Sequence, residues 1–94
     1  MNKSDIIEAL ADRKDIPQAV AERIINVIFD DMTETLISDG RIEIRGFGNF
    51  ENRNYDGYIG RNPKTGTPVV VKSKKAPFFK VGKELKEMIM KAHI

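Results

Sequence analysis

The spacing of apolar residues predicts a short amphipathic helix at the start of the chain. Ile6, Ile7 and Leu10 fall on one face at helical spacing. Asn2 precedes them and has a side chain that can accept a hydrogen bond from a free N–H group of the first turn. We therefore predict a first helix that is capped by Asn2 and ends near Lys14.

A second, longer helix is predicted between Asp15 and Gly40. Asp15 is expected to cap its start, Pro17 suits its first turn, and Gly40 is expected to stop it after Asp39. A chain of 94 residues has little else to cover the wide apolar stripe of this helix, so we favour pairing with a second subunit over burial in a larger core. The stripe consists of Val20, Ala21, Ile24, Ile25, Val27, Ile28, Phe29, Met32 and Leu36.

After Gly40 the apolar pattern changes from a helical period to alternation. In the segment RIEIRGFGNF, residues 41–50, Ile42 and Ile44 point to one side and their charged neighbours to the other. This pattern is typical of a strand with one buried face. The glycines on either side of Phe47 indicate a bulge or a tight hairpin, with which a close approach of phosphate to the backbone can coexist.

Residues 51–75 are predicted to form a two-stranded ribbon. A turn at 62–66 joins its strands, and the outgoing strand carries few large aliphatic side chains. Because an isolated ribbon is marginal in water, we expect it to be mobile until a partner orders it. The chain then returns to the sheet at 76–79 and closes with a helix, whose apolar stripe consists of Leu85, Met88, Ile89 and Ala92.

Charge is distributed unevenly along the chain. Residues 1–40 carry 4 Lys/Arg against 9 Asp/Glu, residues 41–83 carry 10 against 3, and residues 84–94 carry 2 of each. A one-sided basic stretch is the footprint of a polyanionic partner. Charge alone does not separate nucleic acid from acidic lipid as that partner.

The composition leaves little room for catalysis or metal binding. The chain has no cysteine, and His93 is its single histidine. The segment GRNPKTGT has five residues between Gly60 and Gly66 and a threonine after them, whereas a phosphate loop has four residues and a lysine. We therefore predict a protein that is not an enzyme and has no cofactor, no metal and no small-molecule substrate.

The start of the chain predicts neither a signal peptide nor a membrane span. The segment MNKSDIIEALADRKD interrupts its short apolar stretch with acidic residues, which a secretory signal or a membrane helix does not do. We therefore expect a cytoplasmic protein with no membrane partner.

Four segments together resemble the HU and integration host factor family of bacterial DNA-bending proteins. They are MNKSDIIEAL, RIEIRGFGNF, GRNPKTG and PFFKVGKELKE, in the family's order and spacing, and the resemblance covers essentially the whole chain. It implies an α+β fold with a helical dimerisation body, a three-stranded antiparallel sheet with an extended β-ribbon arm, and a C-terminal helix. It also implies one domain over residues 1–94, in which 1–50 and 76–94 form the body and 51–75 the arm.

The resemblance further implies a function in the bacterial nucleoid. The protein is expected to bind double-stranded DNA as an obligate dimer, with an identical or a related subunit, and to bend it as the two arms enter the minor groove. The competing interpretation is a dimeric protein-interaction or RNA-binding module that uses the basic ribbon without bending DNA.

Candidate DNA-binding residues lie in two parts of the chain. The arm candidates are Arg53, Tyr55, Tyr58, Arg61, Asn62, Pro63, Lys64, Lys72, Lys74 and Lys75. The body candidates are Lys3, Arg45, Gly46, Lys80, Lys83 and Lys86. The resemblance implies that Pro63 intercalates between base pairs, whereas the segment Asn-Pro-Lys-Thr-Gly taken alone favours an ordinary turn proline.

Other positions depart from the family pattern or leave a choice open. Tyr55 and Tyr58 stand where the arm commonly has basic residues, so we expect lower affinity and weaker salt dependence than in arginine-rich relatives. Glu43 and Arg45 resemble the Glu-x-Arg pair of the integration host factor β subunit, which favours site preference, but they can also simply pair across a sheet face. Val81 is expected at the cap of the last helix, where it is a poor cap.

Overall fold

The computed structural model of the chain describes residues 1–93, and Ile94, the last residue of the predicted domain, lies outside the described residues. The elements are α1 (Lys3–Lys14), α2 (Gln18–Ile37), β1 (Ile42–Ile44), β2 (Gly48–Tyr55), β3 (Tyr58–Arg61), β4 (Pro68–Val71), β5 (Lys74–Val81) and α3 (Lys83–His93). This order confirms the α+β class, the three-stranded antiparallel sheet and the closing helix that were predicted.

The start of α1 is fixed by two reciprocal hydrogen bonds. Asn2 Oδ1 accepts from the backbone N–H of Asp5 at 3.0 Å, and Asp5 Oδ2 accepts from the backbone N–H of Asn2 at 2.8 Å. These bonds satisfy two N–H groups that have no partner within the helix. The predicted cap and the predicted end at Lys14 are both confirmed.

The predicted start of α2 is wrong in its details. Asp15 does not cap α2; it ends α1 in the left-handed conformation, with φ at 51°, and its N–H donates to the carbonyl of Ala11. Pro17 lies one position before the first turn of α2, and no side chain caps that end. The physical reason is that aspartate tolerates the left-handed region, so it can close one helix as well as open the next.

The predicted stop of α2 is also corrected. The helix ends at Ile37, and Asp39, with φ at 62°, takes the left-handed conformation expected of Gly40. Gly40 lies close to Thr35, where a side chain has no room. Its N–H donates to the carbonyl of Thr35 at 2.8 Å, and a Cβ atom at position 40 would lie 2.8 Å from Thr35 Cγ2.

The register of the main sheet separates its side chains into two faces. Strand β2 is central, and its pairing with β5 runs from Gly48 opposite Val81 to Tyr55 opposite Lys74. We call the face that carries Asn52 the inner face, because the Asn52 side chain donates to the carbonyl of Leu36 in α2 at 2.6 Å. Side chains alternate along a strand, so the inner face consists of Ile42, Ile44, Gly48, Phe50, Asn52, Asn54, Lys75, Pro77, Phe79 and Val81. The outer face carries the residues between them.

The ribbon extends from this sheet with a break along its length. The ladder between β2 and β5 continues through positions 51 and 75, and the break comes at 56–57 and 72–73. Beyond it, β3 and β4 form a separate two-stranded sheet. Gly57 lies at the break, where a Cβ atom would be 2.8 Å from the carbonyl oxygen of Val71.

The cap of the last helix lies one residue later than predicted. Val81 is the final residue of β5, and Gly82 takes the cap position, where its carbonyl accepts from the N–H of Lys86 at 3.0 Å. Neither Val81 nor Gly82 has a side chain that can accept a hydrogen bond from the first turn of α3, so the prediction of a poor cap holds at either position.

Very little apolar surface is buried within one chain. Among the described residues, Ile7, Ala21 and Ile25 form the buried core, while Val27 in α2 stays 60% exposed. The accessible surface is 8183 Å², against about 5,500 Å² for a compact protein of 10.7 kDa. The radius of gyration is 19.5 Å, against about 12 Å for a compact domain of 94 residues.

Replacing Asn2 by alanine should lower the free energy of unfolding by about 1 kcal/mol, because it removes the Oδ1 atom that accepts from the Asp5 N–H and leaves only the bond from the backbone N–H of residue 2 to Asp5. Urea denaturation measures the change. Gln18→Ala, at the uncapped start of α2, is the matched control and should change stability by less than about 0.5 kcal/mol. Equal effects of the two substitutions would contradict a stabilising capping box.

Candidate nucleic-acid interface

The tip of the ribbon is held by hydrogen bonds within its own turn. Asn62 Oδ1 accepts from the N–H of Lys64 at 2.9 Å, and the carbonyl of Asn62 accepts from the N–H of Gly66 at 2.7 Å. Gly66 has φ at 72°, a conformation that glycine adopts without strain. The predicted turn is confirmed, and Pro63 lies within it and is exposed.

The basic residues of the ribbon project into solvent. Every arm candidate named from the sequence is exposed, from Arg53 to Lys75. We call the part of the ribbon that lies before the break, where β2 still pairs with β5, its root. At the root, Arg53 and Lys74 lie on the outer face. The guanidinium carbon of Arg53 is 3.3 Å from the centre of the Phe78 ring, and Lys74 Nζ is 5.5 Å from the centre of the Tyr55 ring. These aromatic rings hold the cations without neutralising them.

Lys75 lies apart from these cations. It is on the inner face, and its Nζ atom donates to Asp39 Oδ1 at 2.6 Å. Asn52 Nδ2 donates to the same oxygen at 3.2 Å. These contacts lower the pKa of the Asp39 carboxyl below its ordinary value of 3.8. The largest cause is the hydrogen bond from Lys75, and the hydrogen bond from Asn52 and the positive charge of Lys75 are smaller causes.

The body candidates are distributed over three places. Lys3 opens α1, Lys80 lies on the outer face of β5, and Lys83 and Lys86 lie in the first turns of α3. All four side chains are exposed. They surround helix starts, where free N–H groups and the helix dipole favour anions.

Arg45 and Gly46 lie in the turn between β1 and β2. Gly46 has φ at 82°, and a Cβ atom there would lie 2.7 Å from Glu84 Oε2. A carboxylate oxygen therefore already lies against the Gly46 backbone. Arg45 is exposed. Glu43 forms its ion pair with Arg41, at 3.1 Å, rather than with Arg45. The alternative of a simple Glu43–Arg45 pair is therefore wrong.

Sequence reasoning missed two features of this surface. Asp39 and Asn52 form polar contacts at the ribbon root that no local pattern indicated. Ile59 and Val70 stand opposite each other on the distal ribbon and are 74% and 75% exposed. The strong β propensity of both residues was the available signal, but it predicts a strand rather than the exposure of its side chains.

Residues 1–93 contain no helix with the length and hydropathy that crossing a membrane requires. The same residues hold no grouping of acidic or imidazole side chains suited to a metal ion.

Comparison with known proteins gives a family and several solved structures. A family model described as bacterial DNA-binding protein matches residues 1–90. An HU protein from Anabaena in a cocrystal with DNA has a TM-score of 0.82 and 28% identity, covering 95% of this chain and 97% of that chain. A mutant HU from Thermotoga maritima has a TM-score of 0.69 and 30% identity, covering 95% and 99%. A mutant of transcription factor 1, at 23% identity, has the same fold with a TM-score of 0.64.

Titration of Asp39 should report its pairing with Lys75. A lowered pKa means that the carboxylate form of Asp39 is favoured by folding, so its contribution to stability is present above pH 3.8 and is lost as the pH falls through the lowered pKa. Lys75→Met, which keeps the length of the side chain but removes its charge and donors, should raise the pKa back toward 3.8. NMR of the carboxyl carbon measures the midpoint.

Lys72→Met is the matched control for this titration and should leave the Asp39 midpoint unchanged, since Lys72 is exposed and pairs with no acid in the described chain. A wild-type midpoint at or above 3.8 would contradict the pairing.

Proposed function

Because the chain belongs to the bacterial DNA-binding protein family, we propose that it is an architectural protein of the nucleoid that binds duplex DNA as a dimer and bends it. The family is one of DNA-binding proteins rather than of enzymes. The observation that carries the proposal is the ribbon: exposed cations along its length and a preformed turn with an exposed proline at its end. In this proposal residues 1–50 and 76–94 form the body and 51–75 the arm.

A dimer is supported by the apolar surface that one chain leaves open. The residues concerned lie on α2, on the inner face of the sheet and beside it, and Ile24, Val27, Ile28, Ile44 and Phe47 are exposed among them. A stable dimer buries about 800 Å² per partner or more, with an apolar centre. A second copy, or a related subunit with the same α2 stripe, would cover this surface and set two ribbons on one base.

The ribbons supply the electrostatic part of DNA binding. Each phosphate that a cation neutralises releases condensed counterions, so the logarithm of the binding constant falls with the logarithm of salt concentration by about 0.9 per contact. Such contacts hold the protein on the duplex without reading its sequence. The proposed phosphate contacts are Arg53, Lys64, Lys72 and Lys74 in the arm and Lys3, Arg45, Lys80, Lys83 and Lys86 in the body. The backbone of Gly46 is a further proposed contact, for which the Glu84 carboxylate must first move away.

The tip supplies the bend. Pro63 is apolar, rigid and without an N–H group, so it can be inserted between stacked bases without leaving a donor unsatisfied. Unstacking one step costs about a few kcal/mol, and bending 20 to 30 base pairs costs on the order of 1 to 6 kcal/mol. The additional phosphate contacts that a bent duplex makes offset these costs.

The residues beside the tip fit the minor groove. Arg61 and Asn62 present donors next to Pro63, and the acceptors of that groove distinguish mainly A·T from G·C pairs. Tyr55 and Tyr58 add contact area but no charge. We therefore propose weak sequence reading through the groove, with Glu43 and Arg45 as the residues that would add site preference.

Bending of a labelled duplex tests the function directly. A 30-base-pair duplex with fluorophores at its two ends should show a rise in energy transfer when the protein is added, and binding should weaken steadily with salt. Saturating binding with no change in energy transfer would leave an electrostatic binder without architectural function. Tighter binding to single-stranded RNA or to an acidic protein than to the duplex would favour the competing interpretation.

Pro63→Ala should reduce the bend while retaining most of the affinity for duplex DNA, because it removes the wedge but none of the cations. The energy-transfer assay measures the bend at saturating protein. Pro68→Ala, at the start of β4 on the same ribbon, is the matched control and should bend DNA as the wild type does. Identical bending by wild type and Pro63→Ala would exclude the wedge.

A further inference from the structure

The root of the ribbon is tied to the end of α2 by a cluster of three side chains, Asp39, Asn52 and Lys75, which we call the clamp. Asp39 Oδ1 accepts from Lys75 Nζ at 2.6 Å and from Asn52 Nδ2 at 3.2 Å. Asn52 Nδ2 also donates to the carbonyl of Leu36 at 2.6 Å. Asn52 lies in β2 and Lys75 in β5, so the clamp holds both strands of the ribbon.

The end of α2 is suited to hold these groups. The last carbonyls of a helix lack partners within the helix, and the end of its dipole is negative. One such carbonyl, that of Leu36, accepts from the Asn52 side chain at 2.6 Å and from the backbone N–H of Asp39 at 3.2 Å. Lys75 brings a positive charge to the same end of the helix. Asp39 reaches both because it turns the chain in the left-handed conformation directly after the helix.

Because the clamp lies at the root of the ribbon, a small change of angle there would cause a large displacement of the tip. Asn54 is opposite Lys75, and only the pair of Tyr55 with Lys74 follows before the break. From position 54 to the tip at 62 an extended strand spans about 26 Å. A tilt of about 10° at the root would therefore move the tip by about 4 to 5 Å, more than the spacing of one base step in DNA.

The register indicates that Lys75 does not act with the other cations of the root. Arg53, Lys74 and Lys80 share the outer face, whereas Lys75 lies on the inner face beside α2. A duplex that contacts the outer face at the root would not reach the Lys75 ammonium group while it stays bound to Asp39.

We propose that Asp39, Asn52 and Lys75 position the ribbon for DNA, and that Lys75 contributes through this clamp rather than by neutralising a phosphate. The tests of this proposal that use DNA rest on the proposed function. The distance measurement without DNA rests on the fold alone. Asp39, Asn52 and Lys75 are therefore positioning residues.

The sign of the effect of Asp39→Asn distinguishes the two roles of Lys75. If Lys75 is a phosphate ligand that Asp39 withholds, Asp39→Asn frees it and tightens binding. If the clamp positions the ribbon, Asp39→Asn loosens the root, and affinity falls several-fold with a smaller bend. Asp31→Asn, which removes an exposed acid elsewhere on α2, is the matched control for the loss of one negative charge.

Salt dependence supplies a second distinction. Lys75→Met should weaken binding and bending but leave the salt slope of the wild type, whereas Lys74→Met should make the slope shallower by about 0.9 for each ribbon that loses a phosphate contact. Lys75→Arg should restore both binding and bending. The double variant of Asp39→Asn with Lys75→Met should be no weaker than either single variant, because both remove the same clamp.

A measurement without DNA keeps this proposal separate from the proposed function. The chain has no cysteine, so spin labels at Glu8→Cys in α1 and Asp56→Cys just beyond the clamp report one distance within a chain diluted in unlabelled protein. Lys75→Met and Asp39→Asn should broaden the distance distribution, and Lys75→Arg should not. Unchanged distributions, tighter binding by Asp39→Asn than by the control, or a shallower slope for Lys75→Met would each overturn the clamp; a wild type that leaves DNA straight would instead overturn the proposed function.

Discussion

In the described chain the buried apolar core consists of Ile7, Ala21 and Ile25, with four partly buried side chains of α1 and the following turn packed against it. Much of the remaining stripe of α2 and the residues around Phe47 stay in contact with water. Ordering each residue of a chain costs about 1 to 2 kcal/mol of backbone entropy, and apolar burial is the main term that offsets it. A core of three residues does not supply that offset for a chain of this length. We therefore propose that a second subunit covers α2 and the inner face of the sheet, and the other parts of the proposed mechanism follow from that proposal.

Attachment to the body of the proposed dimer would restrain the ribbon. A two-stranded ribbon alone is marginally stable, and the break at 56–57 and 72–73 interrupts its ladder further. In the proposed dimer, the same ribbon would be fixed to the body at one end and held by the clamp at its root. The cations along it would then lie at a defined distance from those of the body. A duplex that contacted both sets of cations would have to follow the path between them, and in the proposed function this path bends the duplex.

Local features of this fold were predictable from the sequence, and contacts between distant segments were not. The capping box at Asn2 and Asp5, the turn around Pro63 and the alternation at Ile42 and Ile44 depend on residues a few positions apart. The ends of α2 were assigned wrongly because aspartate also tolerates the left-handed conformation: Asp15 uses it to end α1, and Asp39 adopts it after α2. Gly40 is instead needed for space beside Thr35. The clamp joins residues 36 positions apart, and the face of Lys75 follows from the strand register. Counting charges along the sequence placed Lys75 in one group with Arg53 and Lys74, whereas in the sheet Lys75 lies on the opposite face from them.

Sedimentation equilibrium of the chain without DNA shows whether one chain can fold by itself. We expect a species of twice 10.7 kDa at micromolar concentration, with a thermal unfolding midpoint that rises with protein concentration, as happens when folding and association are linked. A folded species of 10.7 kDa whose midpoint does not depend on concentration would contradict it, since such a chain would have to be stable with most of its apolar surface in water.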